Sequence, residues 1–354
     1  MNTRFIVTES EVIPYSLPLR ITFGTAQGKK VNTNGVLIRI NNSEGKSGLC
    51  ECVTATVFKE QSIDVITRTL NRICGLLKNT DSREYPEIAR RLRRRFPSQI
   101  LAVSTAERAL AGLMLNVMNV PAYKYFGAKL RRVVTDVTIP IAEIEEITPF
   151  LRKMNNAGFY KYKIKVCRDI DWDIFVIKHI IETNKKIDSS KNYEYSLDGN
   201  QGFVYKTAVE LLMRLRKENL ITKLAYLEQP LQRHDYRGLE KLNRQDDILI
   251  AVDESVITPV DAQRVADNNL ASIINIKLAK SGYSQAQEIV SIAKKEGIKL
   301  MIGCMTESSI GLASSVHFAC GTGVFKYIDL DGHLLVKEKR GSYGFTAKGP
   351  GLTV

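Results

Sequence analysis

A row of ionisable residues closes successive short apolar runs from residue 161 onward. "KYKIKV" (161–166) carries Lys161, Lys163 and Lys165 at every second position. "SLDGN" presents Asp198, "YLEQP" Glu228, and "AVDES" Asp253 with Glu254. "SIINIKLAK" then presents Lys277, and "FKYIDLDG" Asp329 and Asp331. Alternate residues of a strand share a face, so the lysines of the first run project together. Stacked like charges are unfavourable unless anions stand opposite or chemistry requires them.

Asp198, Glu228 and Asp253 are hard oxygen donors on three successive strand ends, and no Cys or His accompanies them. That donor set favours Mg²⁺, which leaves positions open for water or substrate. Lys163 and Lys165 flank the acids on one side and Lys277 on the other. A nearby divalent cation and a second ammonium both lower a lysine's pKa, which lets it act as a base. The partner such lysines suit is an enolate and its carboxylate. Asp329 and Asp331, two apart, face one way together and suit a cation such as an ammonium.

Positioning these residues requires a repeated strand–helix unit. From "VVTDVTIPI" (133–141) onward, apolar strands alternate with helical stretches such as "DWDIFVIKHIIETN" and "YSQAQEIVSIAKKEG". The strands are "TDVTIPI", "KYKIKV", "EYSLDGN", "LAYLEQP", "ILIAVDES", "SIINIKLAK", "IKLMIGCM" and "FKYIDLDG". Eight strands over this length predict an α/β fold, a (β/α)₈ barrel whose acids and lysines meet at the C-terminal strand ends. A doubly wound open sheet is the alternative, but no GxGxxG loop follows any strand. Before the barrel, residues 4–53 alternate as strands with a hairpin turn at "NNSEGKSG". Helical periods follow at 60–78, 84–95 and 104–120, with Ser104 and Glu107 reading as a capping box at the start of the last. This predicts an α+β domain over 1–125, the barrel over 126–333, and a tail over 334–354 that packs back on the first domain.

Composition narrows the function classes. The 354 residues are 44% hydrophobic, enough for a large core. No apolar run approaches the roughly 18 residues of a membrane span, and the N-terminus lacks a signal-peptide pattern. A cytoplasmic protein without a membrane partner is expected. The six cysteines show no CxxC pairing. Cys50 and Cys52 in "CEC" read as alternate residues of a buried strand and not as zinc ligands. The net charge of +13 raises nucleic-acid binding as a rival function. The densest basic run, "RRLRRRF" (90–96), has helical apolar spacing, so its arginines read as a solvated face, and no nucleic acid is expected as partner.

Taken together, "GFYKYKIKV", "SLDGN", "YLEQP", "AVDES" and "INIKLAKSGY" resemble, in order and over nearly the whole chain, the enolase superfamily in its muconate-lactonizing subgroup. The resemblance implies a modified barrel with an α+β capping domain, one Mg²⁺ per subunit on Asp198, Glu228 and Asp253, and proton abstraction next to a carboxylate. It selects Lys163, Lys165 and Lys277 as catalytic and leaves Lys161 outside. "MIGCMTES" (301–308) and "DLDG" (329–332) resemble the dipeptide epimerases, where the Asp-x-Asp binds the dipeptide's ammonium. Thr25, Thr138, Met301, Cys304 and Met305 are the further substrate contacts it implies, together with a homo-oligomer.

The implied reaction is a Mg²⁺-dependent 1,1-proton transfer at the C-terminal residue of L-Ala-L-Xaa dipeptides, L-Ala-L-Glu first among them, through a metal-stabilised enolate. N-acylamino acid racemase and o-succinylbenzoate synthase are the alternatives within the superfamily. Relatives that act on Ala-Glu often carry an arginine in a mobile capping loop. Here that loop is "ITFGTAQGKKVNTNG" (21–35), with Gln27 and Gly28 at the equivalent place. Lys29, Lys30 or Arg20 is left to substitute, or the preference is broader.

Overall fold

Period-two alternation in the first 53 residues produces a three-stranded antiparallel meander of β1 (Glu9–Thr25), β2 (Gly28–Asn41) and β3 (Ser47–Val53). The computed structural model describes residues 3–55, 58, 60–245, 247–338 and 344–354. The stretch expected as a mobile capping loop is instead the paired end of the β1–β2 hairpin. Phe23 faces Lys30, Gly24 faces Lys29 and Thr25 faces Gly28, beyond a register shift between Pro18 and Phe23. Gly28 turns the chain at φ 137°, a conformation that side-chain-bearing residues rarely adopt.

Two of the next three helices, α1 (Ile63–Leu77) and α3 (Ile100–Met118), cover this sheet, and α2 (Tyr85–Arg95) packs on α3. α3 is buried on nearly every side, with one flank on β3 and another on a barrel helix. The capping box expected at Ser104 and Glu107 does not form, because α3 begins at Ile100 and both residues lie inside it. Their side chains cross to the barrel instead: Ser104 Oγ donates to Ala279 O, and Glu107 accepts from Ser284 N–H at 2.7 Å. A buried polar group needs a partner wherever one stands, and here the partner is tertiary. Cys50 and Cys52 are buried free thiols.

After α4 (Ala122–Tyr125) and β4 (Arg132–Val134), the strand–helix repeat begins. In order it runs β5 (Val137–Ile139), α5 (Ile144–Asn156), β6 (Lys161–Lys165), α6 (Ile170–Ile187), β7 (Glu194–Asp198) and α7 (Tyr205–Lys217). It continues with β8 (Leu224–Glu228), α8 (Tyr236–Asn243), β9 (Leu249–Val252), α9 (Pro259–Asp267) and β10 (Ile273–Ile276). It ends with α10 (Leu278–Lys295), β11 (Lys299–Gly303), α11 (Ser309–Thr322) and β12 (Tyr327–Asp329). All eight strands are parallel and pair in sequence order. The seam between β12 and β5 is drawn together by Asp136 N–H to Ile328 O at 2.9 Å and Leu330 N–H to Thr135 Oγ1 at 2.7 Å. A right-handed parallel sheet of this size, buried on both faces, closes as a barrel. The barrel is modified in that, among the described residues, its eighth strand is followed by no helix longer than the single turn α12 (Gly332–Leu335).

The tail returns to β1, to α11 through Glu338 on Ser309, and to β4. Val336 bridges Leu19 of β1, and Lys337 N–H donates to Pro18 O at 2.8 Å. Beyond residues 339–343, which lie outside the described residues, β13 (Thr346–Lys348) and β14 (Gly351–Thr353) form a small sheet with β4.

Candidate active site

Strand register brings the ionisable row to one rim. Lys163 pairs with Ser196, Lys165 with Asp198, and Asp198 with Glu228 across β6, β7 and β8. Asp253 directly follows β9 and Lys277 directly follows β10. Lys161 lies at the other end of β6, half-exposed and paired with Glu194 at 3.2 Å, so the two lysines deeper in the barrel are the ones that enter the site.

Each acid is turned onto a lysine. Lys165 Nζ lies 2.5 Å from Asp198 Oδ2, and Lys277 Nζ lies 2.7 Å from Asp253 Oδ2. Lys163 Nζ contacts Asp329 and lies 3.4 Å from Glu228 and 3.7 Å from Asp198. All of these side chains are buried, so the charges act on one another with little screening. Burial opposes the charge on Lys277, yet Asp253 and Glu228 hold its pKa above the ordinary lysine range. Burial, then the neighbouring Asp198, pushes the Glu228 carboxyl up to about 7. Burial works the same way on Asp253, but Lys277 and Lys280 overcome it and keep that carboxyl below the usual range.

Four residues that the sequence did not single out position this cluster. Lys280 Nζ donates to Asp253 O at 2.5 Å and to Asp253 Oδ1 at 2.6 Å. Asn275 Nδ2 donates to Glu228 Oε1 at 2.7 Å. Gln229 Oε1 accepts from Asp253 N–H at 2.9 Å and so ties the end of β8 to the end of β9. Asp136, buried just before β5, has its carboxyl pKa raised by burial and by Asp329. A signal existed for two of them: Asn275 is two before Lys277 on the same strand face, and Lys280 is one helical turn after it.

A cavity opens above the cluster, lined by Phe23, Thr25, Gly28 and Lys30 from the β1–β2 hairpin and by Thr138, Lys163, Lys165, Lys277 and Lys280 from the barrel. Cys304, Met305, Thr306, Asp329, Asp331 and Leu335 complete its far wall. Asp331 Oδ2 accepts from Thr138 N–H at 2.7 Å, and burial, then Asp329, pushes its carboxyl up to about 6. Of the substrate contacts implied by the resemblance, Thr25, Thr138, Cys304 and Met305 line this cavity. Met301 does not. It is fully buried with Tyr226, Ala251, Ile273 and Tyr327, because it faces the barrel interior two residues below the rim residue Gly303.

Among the described residues no three His, Cys, Asp or Glu side chains converge at metal-ligand distance, since the three carboxylates are each engaged by lysines. The donor chemistry still fits Mg²⁺: three carboxylates on neighbouring strand ends, no nitrogen or sulfur donor, and open cavity beside Asp253. Glu254 Oε2 and Asn275 Oδ1 are buried acceptors without a hydrogen-bond partner at the same rim. Such orphaned oxygens are rare and costly, and a hard cation nearby answers them.

Residues 146–343 match the enolase C-terminal domain-like family. The chain is 32% identical to an L-Ala-D/L-Glu epimerase of Thermotoga maritima, over 96% of this chain and 95% of that one. The substrate-liganded L-Ala-D/L-Glu epimerase of Bacillus subtilis superposes with a TM-score of 0.91 at 27% identity, covering 98% of this chain and 96% of that one. A dipeptide epimerase of Enterococcus faecalis, complexed with Mg and L-Leu-L-Tyr, gives 0.90 at 25% identity over 99% and 97%. With more than half of the chain matched to one family and a relative this similar along nearly its whole length, the chain belongs to the enolase C-terminal domain-like family, on its dipeptide-epimerase branch.

Proposed function

We propose that this protein is a Mg²⁺-dependent dipeptide epimerase that inverts the α-carbon of the C-terminal residue of L-Ala-L-Xaa dipeptides. The observation that carries this is the opposition of Lys165 and Lys277. They stand on the second and after the sixth of eight barrel strands, across the cavity from each other, with Asp329 and Asp331 on the wall between β12 and α12. Mg²⁺ held by Asp198, Glu228 and Asp253 would neutralise the substrate's terminal carboxylate and take Asp198 and Asp253 as its own counter-ions in place of Lys165 and Lys277, which lowers the pKa of both lysines.

One of these two amines, unprotonated, takes the α-proton, and the electron pair left behind is delocalised into the substrate's own carboxylate. The other, as ammonium, returns its proton to the opposite face, so one proton leaves, one arrives and the configuration inverts. Lys163, held between Asp329 and Glu228, supplies a fixed positive charge beside that carboxylate. Asp329 and Asp331 receive the substrate's α-ammonium, with Asp331 oriented by the Thr138 N–H. The Phe23–Gly28 end of the hairpin roofs the cavity and keeps water from the exposed carbanion.

The second residue of the dipeptide points toward Lys30. Arg20 lies in a different cavity with His333, and Lys29 is exposed, so Lys30 alone of the three candidates lines this one. Its ammonium donates to Thr306 Oγ1 and has no carboxylate partner among the described residues. Burial, then Lys277, lowers its pKa to about 8. A half-buried cation facing only a hydroxyl suits an acidic side chain, which supports L-Ala-L-Glu as substrate. The reading includes a cytoplasmic homo-oligomer that recycles cell-wall peptides, and the division of the chain at 125 and 333.

The test is incubation of the full chain with Mg²⁺ and L-Ala-L-Glu in D₂O, followed by NMR. Loss of the glutamyl α-proton signal with growth of the L-Ala-D-Glu diastereomer is expected. Exchange on N-acetylated amino acids, with none on any L-Ala-L-Xaa dipeptide, would replace this reading with an N-acylamino acid racemase.

A further inference from the structure

The loop from Cys304 to Ser308 supplies three residues of the cavity wall, yet β11 ends before it and α11 starts after it. What holds it comes from the first domain. Glu51, at the centre of β3, is 1% exposed and does not line the cavity. Its carboxylate accepts from Ser308 N–H at 2.9 Å, from Gly311 N–H at 3.0 Å, from the Ser308 hydroxyl, and from the Tyr15 hydroxyl on β1. The carboxylate thus sits on the N-terminus of α11, where the unpaired N–H groups and the helix dipole both favour an anion. The Glu51 carbonyl is held in turn by Arg108 Nη2 at 3.0 Å. On the cavity side, Thr33 Oγ1 donates to Thr306 O at 2.6 Å, and Lys30 reaches the Thr306 hydroxyl. The loop also packs against Gly332, where a Cβ would meet Glu307 O at 2.7 Å and Met305 O at 3.4 Å, one residue from Asp331.

We propose that Glu51 is a positioning residue for the dipeptide pocket, setting the Cys304–Ser308 loop from behind so that substrate affinity depends on a carboxylate that never touches substrate. The inference rests on reading the cavity as the dipeptide site. Glu51 is a better anchor than a neutral residue because each of its oxygens accepts from one backbone N–H and one hydroxyl: Oε1 from Ser308 N–H and Tyr15, Oε2 from Gly311 N–H and the Ser308 hydroxyl. In Glu51→Gln one oxygen becomes an NH₂, and whichever one it is then faces a backbone N–H, of Ser308 or of Gly311, that can only donate. The lysines and the three acids are carried by β6 to β10 and owe nothing to this loop. Displacing it therefore weakens binding of ground state and transition state alike, which raises KM and spares kcat.

The experiment compares Glu51→Gln, Tyr15→Phe and Ser308→Ala as full-length proteins with saturating Mg²⁺ and L-Ala-L-Glu. Glu51→Gln should raise KM about tenfold with kcat within about threefold of the parent, the size of one lost charge-assisted contact. Tyr15→Phe removes the donor on the first domain's side and should leave KM within about threefold, since it leaves the loop's own bonds intact. Ser308→Ala should raise KM without lowering kcat, and it carries the test if Glu51→Gln does not fold. Unchanged KM in folded Glu51→Gln, or equal KM effects from Tyr15→Phe and Glu51→Gln, would overturn the inference.

A parent that turns over no dipeptide would instead count against the reading of the cavity. In that case amide hydrogen exchange of the substrate-free chain decides about Glu51. Exchange should quicken in 304–311 in Glu51→Gln and not in Tyr15→Phe. No change in 304–311 would overturn the inference whatever the substrate.

Discussion

At the scale of the residue, Lys165 and Lys277 differ from Lys161 by position along the strand, not by chemistry. Replacing either by Ala should lower epimerisation at least about a hundredfold, the usual loss of a positioned acid–base group. Each variant can still wash deuterium into one epimer, so NMR in D₂O should show one-sided exchange, from opposite epimers for the two variants. Lys161→Ala breaks only a part-exposed pair with Glu194 and should change kcat/KM by less than about threefold. Asp331 is the residue that chooses free-amine substrates. Asp331→Asn should cost about 1.5–3 kcal/mol with L-Ala-L-Glu, or about ten- to a hundredfold in kcat/KM, and much less with an N-acetylated analogue. The same carboxyl gives a pH signature. Burial and Asp329 raise it to about 6, so it is charged above that pH and neutral below. Activity on the free amine should therefore fall as pH drops through about 6, with no matching step for the acetylated substrate, whose profile shares every other group. Parallel profiles would remove Asp331 from ammonium binding.

At the scale of the element, α3 braces α10, and α10 begins at the residue after Lys277. Ser104 holds the Ala279 carbonyl, while the fully buried Glu107 accepts from the Ser284 N–H at 2.7 Å and from its hydroxyl at 2.5 Å, and pairs with Arg93. α10 is bent at Gly282, whose φ of 64° places it in the left-handed region. An alanine there would be strained, and its Cβ would collide with the Glu107 carboxylate. Gly282→Ala should lose about 2–4 kcal/mol, seen as a lower urea midpoint at unchanged m-value, because backbone strain and a buried clash add. Glu107→Ala should lose about 2–4 kcal/mol, since it removes the buried partner of Arg93, which keeps only the Ser281 carbonyl, and leaves the Ser284 N–H without its acceptor. The sequence showed Ser104 and Glu107 at capping-box spacing, and that spacing is genuine. Whether such a pair serves its own helix or a neighbouring one is settled by where α3 begins, and buried residues from Leu101 onward extend it one turn earlier than the capping pattern implies.

At the scale of the whole molecule, the site carries its own counter-ions. Asp198 has Lys165, Asp253 has Lys277 and Lys280, and Glu228 has Lys163. Exhaustive EDTA treatment should therefore abolish turnover yet leave far-UV circular dichroism unchanged, with activity returning on Mg²⁺ addition. Full activity after EDTA would remove the metal from the proposal. The eight strands, their order and the acids and lysines at their ends follow from the sequence alone. Fully buried parallel strands read as short apolar runs, and period-two alternation sends a strand's last polar residues to one rim. Local pattern also selected the enolase-like motifs, since their residues are spaced within single strand–turn units. It could not show that residues 21–35 form a paired hairpin and not a loop, that Lys30 and not Arg20 enters the cavity, or that Met301 lies one layer below it. Nor could it connect Glu51 to Ser308, or Glu107 to Ser284. The hairpin is set by β1 pairing with β2, the layer of Met301 by the barrel strands around it, and the others by contacts made when the first domain docks on the barrel. A contact of that kind leaves no period in the sequence, so only the tertiary structure decides it.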